Sequence, residues 1–179
     1  MTWERDLFDF LDDLEAQAES AFAEEREFEV LDRARGEYAS VGLLERLMAS
    51  VGGQVGLHLL GVGHLEGRLA RVADGWCLLE SGGHEWMVRL SAIELARGLS
   101  TRAVPPDAWP VTAKLGFGSA LRRIAESGSR CQIRLIGGGQ YDVLPQRVGA
   151  DFLEATTGTQ GESVLYRFEA IAAVHTPQG

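Results

Sequence analysis

The chain has 179 residues, 45% of them hydrophobic, and a mean hydropathy of −0.05, which allows one or two domains with real cores. No apolar run approaches the length of a membrane span, and the opening Met1-Thr2-Trp3-Glu4-Arg5-Asp6 lacks the apolar stretch of a signal peptide. The two cysteines, Cys77 and Cys131, fall in predicted strands and read as buried reduced thiols, so the expected location is cytoplasmic.

The net charge of −9 sits on the leader: residues 1–40 hold 13 acidic and 4 basic side chains, while 41–179 hold 13 of each. Leu7, Phe8, Leu11 and Leu14 recur at helical spacing, with Trp3 one turn earlier and Asp6, Asp9, Asp12, Asp13 and Glu15 between them. This pattern predicts an amphipathic helix with an acidic face. The pattern weakens over 17–29, and Gly36 is an expected interruption before the next helix, Val41 to Ser50. Three roles suit such a leader. It can pack its apolar stripe on the rest of the chain, dock a basic or grooved protein partner through Trp3, Leu7, Phe8, Leu11 and Leu14, or cover a basic patch elsewhere. Its charge argues against binding nucleic acid or an anionic membrane itself.

From Gln54 to Ile93 the pattern changes to period two, with Val55, Leu57 and Leu59, then Leu65, Gly67 and Leu69, then Trp76 and Leu78. Turns are expected at Gly61–Gly63 and Ala73-Asp74-Gly75, and two short strands broken by a tight turn over Trp86–Ile93. Gly67 inside a strand marks a bulge or sharp bend. The segment 99–115 holds Pro105, Pro106, Pro110 and Trp109 and reads as a linker laid over the surface and pinned by Trp109. A second helix is expected over Ala120–Glu126, with Ser119 as its N-cap.

The barrel-like segment then recurs. Leu57-His58-Leu59 aligns with Ile133-Arg134-Leu135, seventy-six residues on, and Gly61, Gly63, Arg71 and Trp76 with Gly137, Gly139, Arg147 and Phe152. After a two-residue insertion Ala92-Ile93 meets Ala170-Ile171. Two copies are too few for a solenoid, so a tandem duplication of one small domain is the better reading. The second copy has Val143 for Gly67 and Pro145 for Leu69, and the proline suits only an edge or bulged strand.

A helix, five short strands, Gly67-Arg68-Leu69 in the bent second strand and a closing Leu90-Ser91-Ala92-Ile93 resemble the Sm-like fold of Sm, LSm and Hfq proteins, over about 43–97 and more weakly 120–176. The chain also resembles a family from high-GC Gram-positive bacteria that couples an acidic leader to two such barrels. The fold class this implies is mainly β with α: two Sm-like or SH3-like small antiparallel barrels, each preceded by a helix. The expected domains are the leader 1–40, barrel one with its helix at 41–98, the linker 99–115, and barrel two with its helix at 116–179. Sm proteins read RNA with an Asp…Asn pair and an Arg-Gly. Here Asp74-Gly75-Trp76-Cys77 and Arg89-Leu90-Ser91 stand instead, so the resemblance carries the fold and not the uridine pocket.

Chemistry is sparse. Gly61-Val62-Gly63-His64-Leu65-Glu66-Gly67 precedes a strand, not a helix, so it reads as a hairpin turn and not a nucleotide loop. His58, His64, His84 and His175 lack zinc spacing and read as surface residues, although His64 and His84 could meet if their loops shared a barrel end. Neither cysteine has an adjacent activating histidine. No metal or cofactor is expected, and no enzymatic activity. Trp76 and Phe152 read as core aromatics, with exposed stacking platforms as the other reading.

One basic cluster stands out: Lys114, Arg122, Arg123, Arg130 and Arg134 against the single acid Glu126. It reads as a solvated helix face or as a phosphate-contacting patch. The sequence thus points to a non-catalytic interaction or adaptor protein. Its expected partner is another protein, docked through the acidic helix and barrel surfaces, with self-association through edge strands and no membrane contact. The alternative is a nucleic-acid-binding regulator that uses the arginine patch with the leader as autoinhibitor.

Overall fold

The computed structural model describes residues 38–158 and 161–176, together with Glu19, Phe22, Arg26, Arg33, Arg35 and Gly36. The chain forms two compact units, Met1–Val41 and Gly42–Gly179. In the first, the described positions through Ala39 are helical, and Arg26 Nε donates to the carbonyl of Phe22 at 3.3 Å, one turn back. Gly36 is helical too, so it does not interrupt the leader as expected. The docking candidates Trp3, Leu7, Phe8, Leu11 and Leu14 lie outside the described residues.

The second unit is mainly β. A short helix α1 (Leu43–Met48) leads into β1 (Gln54–Leu59), β2 (Gly63–Ala73), β3 (Trp76–Ser81), β4 (His84–Arg89) and, after a 3-10 turn at Leu90–Ala92, β5 (Ile93–Arg97). Helix α2 (Phe117–Glu126) opens a second series: β6 (Cys131–Leu135), β7 (Gln140–Val148), β8 (Phe152–Thr157), β9 (Glu162–Arg167), a 3-10 turn at Phe168–Ala170, and β10 (Ile171–Thr176). All ten strands belong to one antiparallel sheet in the order β5-β1-β2-β3-β4-β10-β6-β7-β8-β9. The first five and the last five therefore share one internal order, and β4 against β10 joins them.

The halves agree in detail. The β2–β3 register shifts between Leu69 and Arg71, and the β7–β8 register between Pro145 and Arg147, seventy-six residues later. Leu60 N–H donates to Ala92 O and Ile136 N–H to Ala170 O, both at 2.9 Å. Alternation explains the local structure. Val55, Leu57 and Leu59 are buried while His58 between them is exposed.

The second strand of each half bends because it changes partners along its length. β2 pairs with β1 through Arg68 and with β3 from Arg68 onward, so at Gly67 the chain turns tightly over Glu80. A Cβ at Gly67 would lie 2.1 Å from the Glu80 carbonyl oxygen, which is why this position carries none. Pro145 is tolerated because it sits at the shift, beyond the end of the β6–β7 ladder, which stops at Val143. Its counterpart Leu69 donates its N–H to Gly53 at 2.9 Å, a bond a proline cannot make.

Two apolar cores result, and they interleave at the junction. The first, around Leu47, Leu57, Leu69 and Leu79, takes in Ala173 from the second half. The second, around Leu121, Ile133, Leu153 and Ile171, takes in Ala73, Trp76 and Met87 from the first. The segment between the halves lies over the first one. Val104 N–H donates to Glu45 O at 3.1 Å, Asp74 N–H to Ala113 O at 2.8 Å, and Trp76 Nε1 to Leu115 O at 2.7 Å. Trp109 is half-buried, and its indole donates to the carbonyl of Val104, the residue whose N–H ties the segment to Glu45. Helix α2 also starts earlier than expected. Gly116, in extended backbone, is the N-cap, and Ser119 lies inside the helix and accepts from Arg122 at 3.2 Å. Burial of Phe117, edge-on to Phe168 with ring centroids 5.5 Å apart, draws these extra residues into the helix.

Candidate functional site

The junction of the halves carries a groove of about 670 Å³, within the range of small-ligand sites. Its floor comes from β3, β4 and β10 through Trp76, Leu78, Met87 and Val174, and α2 supplies one wall through Ile124. Arg71, Arg122 and Arg123 stand on the rim with Glu85 and Glu126. Trp76 is 7% exposed and held by its bond to Leu115, so it is a core residue that shows an edge to the groove. Phe152 is half-buried, packed over Gly149, where a Cβ would fall 2.4 Å from its ring.

The five basic candidates separate. Arg122 and Arg123 line the groove, with Arg123 3.6 Å from Glu126. Arg130 lines a different depression beside Tyr141 and Asp142 and donates to the Asp142 carbonyl at 3.4 Å. Arg134 lies in β6, its Nε buried, and Lys114 is exposed at the end of a 3-10 turn. Arg71 joins the groove set from outside the sequence cluster. Across the strands it faces Leu78, whereas its counterpart Arg147 faces Glu154 and is bonded to it at 2.9 and 3.0 Å. The signal was legible: an arginine kept in both copies whose cross-strand carboxylate is present in only one.

His64 does not meet His84. His64 lies across from His58 and contacts Glu66 at 2.9 Å, while His58 contacts Glu94 at 3.0 Å. His84 meets His175 instead, with ring centroids 5.5 Å apart, and His175 stacks on Trp86 at 4.3 Å. His175 Nε2 lies 2.9 Å from Gln132 Oε1. Burial, with His84 and Arg134 nearby, lowers the His175 pKa and keeps the ring neutral. The thiols are inert by the same physics. Burial pushes both Cys77 and Cys131 up to about 12, so neither offers a thiolate near neutrality.

Arg89 lies over the Phe117 ring at 4.8 Å, its pKa lowered by burial and partly restored by Glu169, in a second depression that Arg122 also borders. Among the described residues no cluster of three or more His, Cys, Asp or Glu is placed to hold a metal ion, and no helix is long and apolar enough to cross a membrane. No protein-family model matches the chain, and no curated protein sequence matches it.

Proposed function

We propose that the protein is a non-catalytic cytoplasmic interaction platform, built from two Sm-like barrels and carrying an acidic amino-terminal helix as a docking element. One observation carries this reading: two five-strand sets of the same order are fused through β4 and β10 into one continuous sheet with interleaved cores. Such a body is rigid, and it presents an apolar groove at the fusion, with β5 and β9 each paired on one side only among the described residues. The leader supplies charge that the body, balanced at 13 against 13, lacks. Quantitative capture from lysate after nuclease treatment tests the reading. The full chain retains a protein that the L7A/F8A/L11A variant loses, and equal capture by both would remove the leader from the role.

A second reading, a nucleic-acid-binding regulator, draws support from Arg71, Arg122 and Arg123 along one groove. Fluorescence anisotropy with labelled single-stranded RNA and duplex DNA at low salt separates the two. Binding by a 42–179 chain but not by the full chain would make the leader a brake, and silence from both would sink the regulator.

A further inference from the structure

The groove between α2 and the strands is charged unevenly along its length. Arg71 on β2 lies opposite Leu78, Leu78 opposite Met87, and Met87 opposite Val174. One row across four strands thus begins in a guanidinium and continues in three apolar side chains, and all of them line the groove. Met87 and Val174 are buried, while Leu78, Ala120 and Ile124 stand partly exposed around them. Arg122, bonded to Ser119 at 3.2 Å, also borders the depression that contains Asp74, Gly75 and Arg89. Glu85 lies four residues before Arg89 on β4, about 13 Å away along an extended strand. Arg122 therefore stands toward one end of the groove and Glu85 toward the other.

We propose that this groove binds a single-headed amphipathic carboxylate, in its simplest form a medium-chain fatty acid, with the carboxylate at the Arg71 and Arg122 rim and the chain over Leu78 and Ile124. Charge complementarity carries the assignment. Among the described residues neither Arg71 nor Arg122 is ion-paired, whereas Arg123 lies 3.6 Å from Glu126. Arg147, the counterpart of Arg71, is bonded to the Glu154 that faces it across the strands. Leu78 stands where that carboxylate would be, so Arg71 has an apolar neighbour and no anion. A ligand that brings a carboxylate on an apolar chain satisfies both at once. The acids on the rim select against a polyanion. A run of phosphates laid along the groove would pass Glu85 and Glu126, while one carboxylate at the arginine end meets neither. The site uses neither the acidic leader nor the strand edges, so it stands or falls apart from the platform reading.

Isothermal titration calorimetry of the full chain with butanoate, hexanoate and octanoate, each below its micelle-forming concentration, tests this. Affinity is expected to rise about fourfold with each added methylene. Octanol, which carries the tail without the charge, binds about tenfold more weakly than octanoate. Arg71→Gln weakens octanoate about tenfold and leaves octanol unchanged. Arg147→Gln, at the matched position of the second half, changes neither. In nitrogen–proton correlation spectra octanoate shifts the Trp76 indole signal, assigned by its loss in Trp76→Phe, and leaves the Trp109 indole in place. Should Arg71→Gln fail to fold, the chain-length series and the Trp76 shift decide alone. The proposal is overturned if octanoate does not bind, or if it binds without moving the Trp76 indole. Equal affinity along the series, matched by inorganic phosphate, overturns it too and returns the arginines to phosphate contact. A folded Arg71→Gln protein that binds octanoate as the parent does would be equally fatal.

Discussion

Gly67 shows how one missing methyl group bends a strand. Gly67→Ala drives a Cβ into the Glu80 carbonyl, 2.1 Å away, and should cost about 1–3 kcal/mol in urea denaturation, as overpacking does. Gly75→Ala meets nothing within 4 Å, and its positive φ of 76° alone should cost about 1–2 kcal/mol. His175 sets a pH dependence. Its pKa is depressed from 6.5 in the fold by burial, His84 and Arg134, with Asp142 opposing, so the unfolded chain binds the extra proton. Stability is therefore full above pH 6.5 and declines as pH falls through the lower folded value. Urea midpoints from about pH 7.5 to about pH 5 should fall less steeply for His175→Gln than for the parent. The alternation of single residues was plain in the sequence. The meeting of His84 with His175 was not, because it depends on which strands become neighbours.

At the scale of elements, most strands, bends and turns followed from period-two patterning and glycine placement, with Gly61, Gly63 and Gly138 all at positive φ in the expected hairpin turns. Helix α2 was less legible. A serine followed by a helical run looks like a cap, yet burial of Phe117 against Phe168 moved the start back to Gly116. The segment between the halves was read as proline-stiffened surface chain, and its ties to Glu45, Asp74 and Trp76 of the first half are tertiary contacts that no local pattern in 99–115 could reveal. Trp76→Phe keeps an aromatic side chain, smaller than the indole, and removes the N–H donor, leaving the Leu115 carbonyl short of its partner. The expected loss is about 1–3 kcal/mol, and proteolysis within 99–115 should become faster.

For the whole of 42–179, the interleaved cores predict that neither half unfolds alone. Scanning calorimetry of that unit should give one transition whose calorimetric and van't Hoff enthalpies agree, and 42–98 expressed by itself should not fold cooperatively. The repeated strand order was legible through its fixed offset. Which strands would join the halves was not inferred, although a trace of it existed. Ile93-Glu94-Leu95-Ala96 alternates like an edge strand, while its counterpart Ile171-Ala172-Ala173-Val174 is apolar throughout and buried on both faces. That is the signature of a strand covered on both faces, here by the two interleaved cores. The basic groove was half visible, since Arg122 and Arg123 stand together in the chain while Arg71 reaches them only through the fold.

Because β4 and β10 belong to one polypeptide, their contact is unimolecular, and its strength is set by the intervening chain and not by how many molecules share the solution. Dilution, which separates any pair of independent subunits, leaves this contact intact. A cell holding very few copies of the protein would still hold every one of them with its two halves joined in one-to-one ratio.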